Sequence, residues 1–153
     1  MYLEGTVKIS SPRDMVWHFL TDPQAVSWCA PGVSILHTVE ANKQFRASVT
    51  AGFSNIQSTF VTDVEFIELK APTHAKFRAH GVASNGAVDI ISEMTLIELP
   101  AHATEMQWNA DVKVVGKLVT LAAGRMDMVT RQMTETFFER MQSRLEVLGA
   151  RLA

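Results

Sequence analysis

The groups that could do chemistry in this chain of 153 residues are five histidines, one cysteine and scattered carboxylates. None of His18, His37, His74, His80 and His102 has a second His, Cys or carboxylate at the spacing of a metal motif. His74 and His102 fall in predicted turns and His80 on the outer face of a strand, which gives them a solvated surface role. His18, next to Trp17 on a short helix, is read as a packing residue. Cys29 would need a base and a lowered thiol pKa to act as a nucleophile. No His or Lys lies near it in sequence, so it reads as a small buried residue at a helix end. The glycines form no phosphate-binding pattern, and Ser54 and Ser84 lack the flanks of a nucleophile elbow. Glu65, Asp89, Glu93 and Asp111 alternate with apolar residues, as expected of exposed strand faces. Arg125 adjoins an apolar helical stripe one turn from Leu121 and Val129. There it could hold a carbonyl, quinone oxygen or carboxylate, or reach past its neighbours to water.

What is plentiful is apolar material. The chain is 47% hydrophobic and 20% charged, with eight methionines and a net charge of −2. Such a balance suits one soluble domain with a sizeable core and gives no basic field to hold nucleic acid. A lone cysteine forms no internal disulfide and is compatible with a reducing compartment. No signal peptide and no run of apolar residues long enough to span a membrane is read.

The elements that would position a site follow from periodicity. Tyr2 to Ser10 alternates as a first strand. Ser11 and Pro12 suit a helix start, with Ser11 as the cap, and the helix carries Met15, Val16, Phe19 and Leu20. Asp22-Pro23 opens a second short helix that reaches Trp28 and stops at Pro31-Gly32. Six strands follow: Val33–Glu40, Gln44–Phe53, Gln57–Leu69, a strand around Ala75–Gly81, Ala87–Leu99, and one from Thr104 to Val114. Asn85-Gly86 is a hairpin signal. From Lys117 to Leu148 only Gly124 weakens a helical pattern, which predicts one helix of about 48 Å. A domain of this size has a radius of gyration of roughly 15 Å, so such a helix would cross it. The expectation is an α+β helix-grip fold: a curved seven-stranded antiparallel sheet around one long C-terminal helix, with two short helices after strand 1.

A sheet curled around a helix tends to leave a cavity between the two. From the sheet and the second short helix, Trp28, Phe45, Phe53, Phe60, Met94 and Met106 are expected to line it, with Trp108 on the last strand. From the long helix the candidates are Leu118, Leu121, Arg125, Val129 and Met133. Met126, Met128 and Met141 also lie where a pocket could meet the helix, although core filling is the ordinary role of methionine.

Several local motifs resemble the carbon monoxide dehydrogenase G-subunit family, within the SRPBCC (START/Bet v 1-like) superfamily. They are Cys29-Ala30-Pro31-Gly32-Val33, Ala51-Gly52-Phe53 with Phe60, and Gly116-Lys117-Leu118 through Leu121, Arg125 and Phe137-Phe138. The similarity runs over roughly Met1 to Leu148, and residues 1–153 are read as a single START-like ligand-binding domain. The resemblance implies a hydrophobic cavity beneath the last helix and association with molybdenum hydroxylases of the carbon monoxide dehydrogenase type. It also implies a part in their maturation or membrane recruitment, and binding of a lipid-soluble quinone. Some members end in a membrane anchor; the expectation here is no integral membrane segment and a cytoplasmic protein, or one peripheral at the inner membrane face.

The expected function is therefore binding of a hydrophobic small molecule, quinone or lipid-like, in the service of such a hydroxylase, with no catalytic residues and no tightly bound cofactor. Burying about 300 Å² of apolar ligand surface offers roughly 7 kcal/mol before binding costs. A cavity-based enzyme (cyclase, aromatase or hydrolase) and an assembly factor with an incidental cavity are the alternatives, and a homodimer stays open.

Overall fold

The computed structural model describes residues 1–40, 43–53, 56–121 and 126–152, apart from the side chains of 36–40, 53, 56, 120, 121, 126, 127 and 150–152. The chain runs β1 (Tyr2–Ile9), α1 (Arg13–Leu20), α2 (Pro23–Cys29), β2 (Val33–Glu40), β3 (Gln44–Phe53) and β4 (Ile56–Lys70). It continues with β5 (His74–Ala83), β6 (Gly86–Leu99), β7 (Ala103–Val115), α3 (Lys117–Leu121) and α4 (Met126–Leu152). The strands form one seven-stranded antiparallel sheet in the order β1-β7-β6-β5-β4-β3-β2. Strand order after β1 follows the chain, because each hairpin pairs neighbours, and β1 closes the far edge against β7 from Tyr2↔Asp111 to Ile9↔Thr104.

Alternation of apolar and polar residues decides which face each strand buries. Phe45, Ala47 and Ala51 are buried on β3, and Phe60 and Thr62 on β4. Ala75 and Ala79 on β5, Met94 and Leu96 on β6, and Thr104, Met106 and Val112 on β7 complete the inner face. The outer face carries charge in register. Arg46, Asp63, His80, Asp89 and Lys113 sit side by side across β3 to β7. The Arg46 guanidinium lies 2.8 Å from Asp63, and His80 Nδ1 lies 2.6 Å from Asp89.

The helices cover the inner face. Val16, Trp17, Phe19 and Leu20 of α1 meet Met141 and Leu145 of α4 and Ile9 and Leu96 of the sheet in one packed cluster. Asp22 accepts a hydrogen bond from the Gln24 N–H at 3.1 Å and so caps α2, while Pro23 supplies its first turn. The α2–β2 turn needs glycine at position 32. There φ is +76°, and a Cβ would stand 2.2 Å from the Thr50 carbonyl oxygen.

Three expectations are corrected. Ser11 does not cap α1; Pro12 holds that position with no side-chain bond. The Ser11 carbonyl instead accepts from the buried Thr104 hydroxyl at 2.7 Å, a long-range tie between α1 and β7. His18 is exposed rather than packed. The terminal helical pattern appears as α3 and α4, and the residues between them, 122–125, lie outside the described ones. The 27 residues of α4 span about 40 Å, enough to cross the sheet.

Candidate functional site

Between α2, α4 and the concave face of the sheet lies a cavity of about 430 Å³. Its origin is local. Ala47, Ala75, Ala79 and Ala110 occupy inward strand positions and end at Cβ, so the middle of the sheet projects too little volume to reach α4. Around that gap stand the rings of Phe45, Phe66, Phe77, Trp108, Phe137 and Phe138. Trp108 and Phe138 meet at 5.9 Å between centroids, and Phe137 stands edge-on to Phe138 at 5.7 Å. Gly5 on β1 lets the indole lie flat. A Cβ there would come within 2.9 Å of Trp108 Nε1.

The polar groups on the wall are nearly all spoken for. Ser92 Oγ donates to the Asn109 carbonyl at 2.7 Å, Thr134 to the Thr130 carbonyl at 2.8 Å, and Ser27 to the Gln24 carbonyl at 2.8 Å. Glu93 is the single ionisable residue among the described lining residues. Its carboxylate is engaged on the outer face: one oxygen accepts from Asn109 Nδ2 at 3.3 Å and the other lies 3.3 Å from His74 Nε2. A proton acceptor or donor aimed at a ligand is therefore absent from the described wall, which leaves shape and apolar contact as the means of recognition.

Other titratable groups sit elsewhere. His74 opens β5 rather than a turn, where Nε2 faces Glu68 at 3.2 Å and Nδ1 faces the Thr95 hydroxyl at 3.1 Å. The Lys70 ammonium beside Glu68 holds that carboxyl below the ordinary carboxylate range. Cys29 is 1% exposed, and burial pushes its thiol up, against the pull of Arg140 and Arg144. A protonated, covered thiol is no nucleophile. No group of His, Cys, Asp and Glu among the described residues is arranged to hold a metal ion. A second hollow of about 450 Å³ lies outside, over β1, β6 and β7, walled by polar side chains such as Glu4, Thr95, Gln107 and Asn109. Trp108 separates the two.

Of the residues expected at the cavity, Phe45, Met94, Met106, Trp108 and Met133 line it. Phe60, Leu118 and Val129 do not. They pack with Ala51 in a separate solid cluster at one end. Trp28 is a correction: it is 68% exposed, on the outside of α2, where Arg144 of α4 stacks on its ring at 5.0 Å. Met128 is likewise exposed and Met141 belongs to the packed core. Arg125 lies outside the described residues, and nothing is described of the Phe53, Leu121 and Met126 side chains. The sequence reading missed Phe66, Phe77 and Phe138 as wall residues. Strand alternation placed the first two on the inner face, and that signal could have found them.

This curled sheet gripping a helix matches the sequence profile of the carbon monoxide dehydrogenase G subunit (CoxG) over residues 5–146. The chain belongs to the CoxG family. No curated protein matches it. Among solved structures, a conserved protein of Geobacillus kaustophilus superposes with a TM-score of 0.83 at 21% identity, covering 95% of each chain. The Zhui aromatase/cyclase of Streptomyces sp. R1128 superposes at 0.70 with 17% identity, over 95% of this chain and 93% of that one. A START superfamily protein of Mycobacterium smegmatis gives 0.67 at 16%, over 96% and 98%. The fold expectation therefore holds: a START-like helix-grip domain. No helix among the described residues of this CoxG-family chain is long and apolar enough to cross a membrane.

Proposed function

We propose that this CoxG-family chain binds an elongated apolar small molecule, an isoprenoid quinone or lipid-like compound, and serves a carbon monoxide dehydrogenase-type molybdenum hydroxylase by holding or delivering it. The observation that carries the reading is an apolar cavity of about 430 Å³ whose single described ionisable residue turns its carboxylate outward. Apolar surface buried there contributes about 25 cal/mol per Å², so a ligand needs no charged partner to bind. Phe45, Met94, Met106, Trp108 and Met133 are the proposed contacts, with Phe66, Phe77, Phe137 and Phe138 added from the geometry. The family name supports the hydroxylase as partner, and a cytoplasmic or membrane-peripheral setting follows from that partnership.

Thermal denaturation with a panel of quinones, fatty acids and polycyclic aromatics tests the binding. A ligand at a hundredfold excess over its Kd adds about 2.7 kcal/mol, which raises the midpoint by several degrees. Unchanged midpoints across the whole panel would overturn the reading. Co-purification with a molybdenum hydroxylase tests the partner separately.

Turnover on the same fold is a second reading, motivated by likeness to an aromatase/cyclase. It requires an acid or base against the ligand, and the described lining hydroxyls Ser27, Ser92 and Thr134 already donate to backbone carbonyls. Product formation from an aromatic polyketide by the purified chain would establish it.

A further inference from the structure

The cavity ends abruptly along the strands. On β4, Phe66, Val64 and Thr62 face the hollow, and the next inward residue, Phe60, is 5% exposed and lies in the solid cluster with Ala51 and Leu118. On β6 and β7 the same step occurs between Ile90 and Val88 and between Val112 and Val114. On α4 it falls between Thr130, which lines the cavity, and Val129, which packs on the cluster. Four elements thus change from hollow to solid at one level.

That level is held in place. Leu118 is fully buried, and its N–H donates to the Asn85 carbonyl at 2.7 Å in the β5–β6 turn. The Asn85 amide in turn donates to the buried Ser58 hydroxyl at 2.7 Å. Gly81 carries no Cβ, and one there would stand 3.2 Å from the Phe60 Cβ, so β5 lies close against that residue. Val49 touches both the cavity and the cluster, so the solid end adjoins the hollow.

We infer that Phe60, backed by Leu118, is the end wall of the cavity and sets the length of apolar chain the protein accepts. The inference rests on the binding role proposed above. Truncating the wall would open one further inward step of the strand, about 6.8 Å, room for several methylenes.

The test is a homologous series of straight-chain alcohols, hexanol to hexadecanol, competed against an anilinonaphthalene sulfonate dye. In the wild type, affinity should rise roughly fourfold per methylene and then stop at a break. Phe60→Ala and Leu118→Ala should each move the break to longer chains. The first alcohol beyond the wild-type break should then bind either variant about tenfold more tightly, roughly the worth of two methylenes. Phe60→Val and Leu118→Val serve if the alanine forms do not fold. Met133→Ala, in the middle of the cavity, should shift affinity at every length and leave the break where it was. A break that stays fixed in all the wall variants overturns the inference alone. No competition by any alcohol in the wild type overturns the binding role and this inference with it.

Discussion

Two stretches of α4 lie over the same sheet with different results. Met141 and Leu145 are fully enclosed, whereas Thr130, Met133 and Thr134, two turns earlier, face a void. The helix does not explain this, because both stretches present residues of similar size. The partners do. Opposite Met141 and Leu145 stand Ile9, Leu96, Trp17 and Leu20, large enough to interdigitate. Opposite Met133 the strands offer alanines. One end of the interior is built for stability and the middle for occupancy, and the choice was made on the sheet.

That contrast can be broken by substitution. The largest effect is expected from Leu145→Ala, which should cost about 2–5 kcal/mol because it opens a cavity in the packed end. Met133→Ala should fall well below that range, since the side chain already borders empty space; urea denaturation of both variants measures the difference. Next comes Gly5→Ala, where the added Cβ drives the Trp108 indole toward the hollow. A loss of about 1–3 kcal/mol is expected, with a shifted tryptophan emission maximum and weakened ligand binding.

Ala79→Leu sharpens the comparison from the other side. Filling the void should change stability by less than about 1.5 kcal/mol while abolishing the ligand-induced rise in melting temperature. A comparable insertion at the packed end would be destabilising, so a large loss for Ala79→Leu would mean the middle is as full as the end.

The smallest effect concerns Cys29, at the packed end. Burial raises its thiol pKa, so the folded protein holds a proton that the unfolded chain releases near the ordinary thiol value of about 8.5. The resulting stability is present below that pH and lost as pH climbs toward the folded value. Wild type should therefore weaken more steeply than Cys29→Ala above about pH 8.5, a difference readable in parallel urea titrations. Iodoacetamide should label Cys29 in denaturant and leave the native protein unmodified.

Much of the fold was legible because period-two alternation survives in six strands after the helices, and turn residues such as Asn85-Gly86 punctuate them. The α2 start was legible for the same local reason: Asp22 and Pro23 act within one turn. Trp28 was not. Seven residues of helix define no reliable apolar face, and its ring turned outward to meet Arg144, which is 116 positions away in the sequence. Ser11 failed for a related reason, since its carbonyl was claimed by Thr104 from a distant strand.

The sequence by itself determined which face of each strand turns inward, because a side chain's side follows from its parity along the strand. It also determined that the inner face would be apolar and free of charge. Depth was decided only by the tertiary structure. Phe60 and Phe66 share parity and chemistry, yet one is sealed against Leu118 and the other faces open space. What separates them is the volume delivered from the opposite wall by residues remote in the chain, and close packing is a property of both walls together.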